Sequence, residues 1–208
     1  MIDFHNHILP DTDDGSTSLE MSIEMLIHAA SQGITDVVNT VHYKHPKVEG
    51  HGISFEKIEG KTKEFQAEIN KRGIPIIIHI GSEVFYSANI LSLINDPLAT
   101  MGKNKYMLVE FHPQIIPNNH WQILFELKML GVTPIIAHPE RYNKVQENIN
   151  IVYNWLEAGC LIQVDAGSIL GNLGHKAKMA SEIIIKQNWC QILGSDAHNN
   201  KNRNFVLK

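Results

Sequence analysis

Seven short apolar runs punctuate the chain, with helix-patterned sequence between most of them: "IDFH", "ITDVVNTVH", "IPIIIHIGSEV", "KYMLVEF", "VTPIIAHPER", "CLIQVDAG" and "CQILGSDAH". No other feature constrains the fold as strongly. After the first run, "TSLEMSIEMLIHAASQG" sets Leu19, Ile23, Leu26, Ile27 and Ala30 at helical spacing. Thr17 and Glu20 stand at capping-box spacing, and Gly33 suits a C-terminal stop. Further helices are expected near Phe55–Arg72 before Gly73, near Asn89–Asn95, over Asn118–Leu130 before Gly131, over Gln146–Ala158 before Gly159, and over His175–Gln187. Runs that are apolar without clean alternation suit strands buried on both faces, as in parallel sheets. The alternation therefore assigns the α/β class. A closed barrel and an open doubly wound sheet both satisfy the pattern.

Bulk properties narrow the function. At 208 residues and 43% hydrophobic content, the chain is expected to be a single domain, 1–208, with a sizeable core. A formal charge of -4 and no Lys/Arg cluster argue against a nucleic-acid partner. No run reaches the roughly 18 apolar residues of a membrane span, and the N-terminus lacks a signal-peptide pattern, so membrane insertion is not expected and the cytoplasm is the expected location. Cys160 and Cys190 read as small buried hydrophobes of a reducing compartment. The unusual number is twelve histidines.

Many of those histidines stand at the C-terminal ends of the apolar runs. The first run supplies His5 and His7, with Asp14 in the following loop. The second ends at His42, the third carries Glu83, and the fourth ends near Glu110. The fifth supplies His138, with Glu140 and Arg141 just beyond, and the seventh supplies Asp196 and His198. The sixth offers Asp165. In a βα barrel the loops at that face build the active site, so these residues would converge. His5/His7 and Asp196/His198 are i, i+2 pairs, and on strand ends each pair points one way. Imidazoles and carboxylates together suit Zn, Mn, Fe or Ni. Without cations, so many titratable groups in one pocket would repel or shift their pKa values. A multinuclear metal site is the expectation. The other histidines are read blandly: His28, His45, His51, His112, His120 and His175 as surface or capping residues, His79 as a satisfied core residue.

The set "MIDFHNHILP", "DDG", His42, "GSEV", "LVEF", "GVTPIIAHPERY" and "GSDAHN", in that order over the whole chain, resembles the bacterial tyrosine-protein phosphatases of capsule and exopolysaccharide operons. These belong to the polymerase-and-histidinol-phosphatase (PHP) superfamily. The resemblance implies a distorted (β/α)7 TIM-like barrel. It implies two to three divalent ions, with manganese first and Fe, Zn, Co or Mg as alternatives. One ion would be held by His5, His7, Glu83 and Asp196. Glu83 would bridge to a second, held also by Glu110 and His138, and Asp14, His42 and His198 would hold a third. Arg141 matches a family arginine beside the substrate phosphate, and the implied partner is the phosphotyrosine tail of a cognate tyrosine kinase.

The implied reaction is phosphomonoester hydrolysis. A metal-activated hydroxide would attack phosphorus in line with the tyrosyl oxygen, while Arg141 clamps the phosphoryl oxygens. A phenol of pKa about 10 leaves readily, and its proton would come from a metal-bound water or from His42. Neither cysteine has an arginine six residues on, so a cysteinyl-phosphate route is not expected. Three departures from relatives stand out: Val41 before His42, Asn204–Phe205 after Arg203, and an end at Lys208 where relatives continue. The last suggests a truncated C-terminal helical part, which bears on homo-oligomer formation. The rival readings are a small-molecule PHP phosphatase such as histidinol-phosphatase, and an inactive barrel that serves as a binding module. Substrate comparison separates the first rival, and metal content the second.

Overall fold

The computed structural model describes residues 1–208. In chain order the elements are β1 (Ile2–Asn6), α1 (Leu19–Ser31), β2 (Asp36–Tyr43), α2 (Phe55–Lys71), β3 (Ile77–Phe85), β4 (Tyr106–Glu110), α3 (His120–Met129), β5 (Thr133–Ala137), α4 (Asn143–Glu147), α5 (Asn150–Glu157), β6 (Leu161–Asp165), α6 (Ala166–Leu170), α7 (His175–Lys186) and β7 (Ile192–Gly194). The seven strands form one sheet in sequential order, and Asn6 makes a parallel bridge to Ala197, just past β7. This is the strand order of a nearly closed (β/α)7 barrel, the architecture the resemblance implies. No helix is long and apolar enough to cross a membrane.

Each expected helical segment is present in some form, with three adjustments. The N-cap of α1 is Ser18, whose side chain accepts from the Met21 N–H, and not Thr17. The segment near Asn89–Asn95 is a single 3-10 stretch, Ile90–Leu93. The region expected as one helix over Gln146–Ala158 is broken into α4 and α5, because Asn148 is extended (φ -143).

The chain divides into two compact units, Met1–Ser82 with Gly194–Lys208, and Glu83–Leu193. In the first, α1 buries Ile23, Met25, Leu26 and Ala29, and α2 buries Ile58, Phe65 and Ile69. Phe205 is fully buried, and its carbonyl accepts from Gln32 Nε2 at 2.7 Å, which ties the last residues to α1. In the second unit, β4, β5 and β6 pair in parallel, with Leu108 opposite Ile135 and Ile136 opposite Ile162. An aromatic stack of Tyr86, Phe111 and Trp155, with Tyr142 edge-on to Phe111, fills its core.

Candidate metal centre

In the first unit, six of the nine expected ligands come together. His5 lies in β1 and His7 one residue past it, and their Nε2 atoms face each other at 3.3 Å. Both stand 3.3 Å from Asp196 Oδ1. A second group follows directly: the ligand atoms of His7, Asp14, His42 and His198 lie within 4.8 Å of one another. Asp14 Oδ1 is 3.1 Å from His42 Nε2 and 3.5 Å from His198 Nε2. All of these except the exposed Asp14 are buried.

Backbone pairing explains the convergence. The Asp196 N–H donates to His5 O and the His7 N–H to Ala197 O, each at 2.8 Å, so the two i, i+2 pairs are set in register. Asp3, fully buried beneath them, accepts from the His5 N–H (2.9 Å) and Asn6 Nδ2 (3.2 Å) through Oδ1, and from the Ser195 N–H (3.2 Å) through Oδ2. Burial raises its carboxyl to about 6. Asn39 Oδ1 accepts from the N–H groups of Ile8 and Leu9, steering the chain out of β1. Asp196 takes a left-handed backbone (φ 47), an uncommon conformation for a non-glycine residue and a frequent mark of a functional site.

The loop "DTDDG" then folds back over His7. Asp13 Oδ2 accepts from His7 Nδ1 at 2.8 Å and from the His42 N–H at 3.0 Å, while Oδ1 accepts from the Gly15 N–H at 3.0 Å. Burial favours its neutral form, yet the imidazole of His7 opposite holds the carboxyl down at about 2. A Cβ on Gly15 would lie 2.2 Å from the His7 carbonyl oxygen, so only glycine fits there. For Asp14, burial is outweighed by contacts from His198, His42 and Lys47, and its carboxyl is held well below the usual range. For His198, burial and then the neighbouring His7 push the imidazole down.

The second unit gathers the other three. Glu83 lies in β3, Glu110 ends β4 and His138 follows β5. Strand register sets Glu83 opposite Leu108 and Phe85 opposite Glu110. His138 Nε2 is 2.8 Å from Glu83 Oε1 and 3.9 Å from Glu110 Oε1. His138 also has a left-handed backbone (φ 32). The buried Tyr142 hydroxyl donates to Ala137 O (2.7 Å) and accepts from the Phe111 N–H (3.0 Å), tying the ends of β4 and β5. Arg141 Nη1 lies 3.6 Å from Asp165 Oδ2. Asp165 is buried, its N–H donates to Glu140 Oε1 at 3.0 Å, and it belongs to no ligand group. Burial, then the charge of Asp165, raises Glu140 to about 8.

Both first-unit donor groups suit divalent cations. The imidazole nitrogens that face the carboxylates are those left over from local bonding: His7 gives Nδ1 to Asp13, and His198 gives Nδ1 to the Asp196 carbonyl at 2.8 Å. Their Nε2 atoms therefore point into the cluster with carboxylate oxygens around them, a borderline N/O set that transition ions favour.

One reading of the sequence needs revision. His79 is exposed, not core, and pairs with Asp36 at 2.9 Å, because its strand position faces outward. His45 does cap a short turn, accepting from the Lys47 N–H, but its ring also lies 4.6 Å from that of His42. Asp13 closes a turn through the Gly15 N–H and also holds His7. Arg203, not expected as a site residue, sends Nη2 to Asp196 Oδ2 at 2.5 Å. The only sequence signal for it was its position five residues after His198.

Known proteins match the chain over its length. CapC of Staphylococcus aureus, named provisionally as a tyrosine-protein phosphatase, is 36% identical over 211 residues, covering 100% of this chain and 81% of that protein. The tyrosine-protein phosphatase YwqE of Bacillus subtilis is 34% identical, covering 99% and 80%. A crystal structure from work on YwqE and on CpsB of Streptococcus pneumoniae, described there as metal-dependent tyrosine phosphatases, superposes with a TM-score of 0.91 at 32% identity, covering 99% of this chain and 82% of that one. The family model "Capsular polysaccharide synthesis, CpsB/CapC" matches residues 1–208, and the chain belongs to that family.

Proposed function

We propose that this chain is a metal-dependent protein-tyrosine phosphatase that dephosphorylates a tyrosine kinase controlling capsule or exopolysaccharide synthesis. The observation that carries the reading is the packing of His7, Asp14, His42 and His198 ligand atoms within 4.8 Å of one another, in a member of this family. His5, His7 and Asp196 would hold one divalent ion, Asp14, His42 and His198 another, and Glu83, Glu110 and His138 a third, with manganese as the first choice. When bound, such ions supply Lewis acidity and activate water near neutral pH.

The chain's own residues do the rest. Arg141 would offer a planar fork to two phosphoryl oxygens, and its Nη1 lies 3.6 Å from Asp165 Oδ2. A phenolic leaving group of pKa about 10 needs little help from an acid, and His42 is the assigned proton donor. Protein purified without chelator should contain a divalent ion. At equal metal loading it should hydrolyse a phosphotyrosyl peptide faster than histidinol phosphate, and a chelator should abolish the activity. Fully metallated, folded protein that cleaves no aryl phosphate would refute the proposal.

A further inference from the structure

Asp13 stands one position before a proposed ligand, and it touches more of the cluster than any ligand's own loop requires. Its side chain is 2% exposed. One oxygen closes the turn through the Gly15 N–H; the other is shared between His7 Nδ1 and the His42 N–H. A single carboxylate thus joins the end of β1, the end of β2 and the loop that carries Asp14. An ionised carboxylate can only accept hydrogen bonds. The ring nitrogen facing it must therefore carry a proton, which leaves Nε2 as the nitrogen that faces Asp196 Oδ1 and His5 Nε2, each at 3.3 Å.

We infer that Asp13 is a positioning residue that locks His7 in the Nδ1–H tautomer and thereby sets the metal affinity of the first-unit cluster. The inference rests on the metal-centre reading given above. The physical reason is that a ring nitrogen can ligate only if it is unprotonated, and a carboxylate on the opposite nitrogen both fixes that tautomer and increases the ligand's basicity. In Asp13→Asn the amide can keep the turn bond to Gly15 through its oxygen. Its NH2 group then faces His7 Nδ1 and favours the opposite tautomer, with the proton on Nε2.

Titration of the metal-free chain with Mn2+ or Zn2+ alone, followed by calorimetry, tests this without recourse to activity. Asp13→Asn should weaken binding by about 10- to 100-fold, and it should also lower the urea midpoint of the metal-free form, because the His42 N–H loses its acceptor. In the metal-free wild-type chain, 15N-detected imidazole spectra should show His7 protonated on Nδ1. Unchanged ion affinity in a folded Asp13→Asn protein overturns the inference, as does a lowered urea midpoint with unchanged affinity, the signature of a merely structural role. Should Asp13→Asn fail to fold, the wild-type spectrum decides: an Nε2–H tautomer overturns the inference. A wild-type chain that binds neither ion sinks the metal reading itself, which is a distinguishable result.

Discussion

The two units hold their candidate ligands by different means. In the first, the candidate ligands are histidines and aspartates from β1, the loop after it, β2 and the segment after β7, and buried side chains position them: Asp3 under His5 and Ser195, Asp13 between His7 and His42, Asn39 under the exit from β1. In the second, two glutamates sit on paired strands and one histidine just past β5, and the backbone register, one tyrosine hydroxyl and the Gln163 side chain keep them in place. A site in the first unit is a network, in which each polar atom orients its neighbour. A site in the second is a rigid platform with single residues on it. Networks spread a loss over several partners; platforms concentrate it on the residue removed.

The largest effect should therefore come from the platform. His138 is the only imidazole in the second-unit group, so His138→Ala should lower kcat/KM on a phosphotyrosyl peptide by about 10³-fold, since metal-ion stabilisation is worth several kcal/mol. A loss under tenfold would mean that this group does not bind a working ion. Next comes Gly15→Ala, where the new methyl overlaps the His7 carbonyl. It should cost about 1–3 kcal/mol, read from urea unfolding, and an unchanged midpoint would show that the loop does not pack on His7. Tyr142→Phe should cost about 1–2 kcal/mol by leaving the Phe111 N–H and the Ala137 carbonyl unpaired, and it tests whether the platform depends on that hydroxyl.

The smallest effect is a pH dependence in the second unit. His120 packs its ring against Phe111 and Trp155, and burial pushes its imidazole below the ordinary value. The folded state resists the proton that the unfolded chain accepts near its ordinary value of 6.5, so this stability is present above that pH and is lost as pH falls through it. Between about pH 7.5 and about 5.5 the wild type should lose stability relative to His120→Phe. Parallel urea midpoints for the two proteins across that range would remove His120 as the cause.

Legibility followed the same division. The strand-end glutamates and His138 were found because a parallel βα order sends every strand's C-terminal end to one face, so a residue's place along its run was enough. His79 was misjudged by the same logic: being inside a run says nothing of which side a residue faces, and this one faces outward toward Asp36. Asp13 carries no role that its place in the sequence reveals; one of its oxygens closes a turn through the Gly15 N–H. Nothing in "DTDDG" says that the other oxygen reaches His7, because that contact depends on how the loop closes. The break between α4 and α5 was invisible because "VQENINIV" keeps an apolar spacing across it.

The sequence by itself determined the α/β order, the identity of the nine candidate ligands and the family, because periodicity, strand-end position and motif order are local properties. Only the tertiary structure decided which nitrogen of each histidine faces the cluster, that Asp165 serves Arg141 and belongs to no ligand group, and that Arg203 reaches Asp196. Those outcomes depend on distances of a few ångströms between residues remote along the chain, which packing sets and which no local pattern encodes.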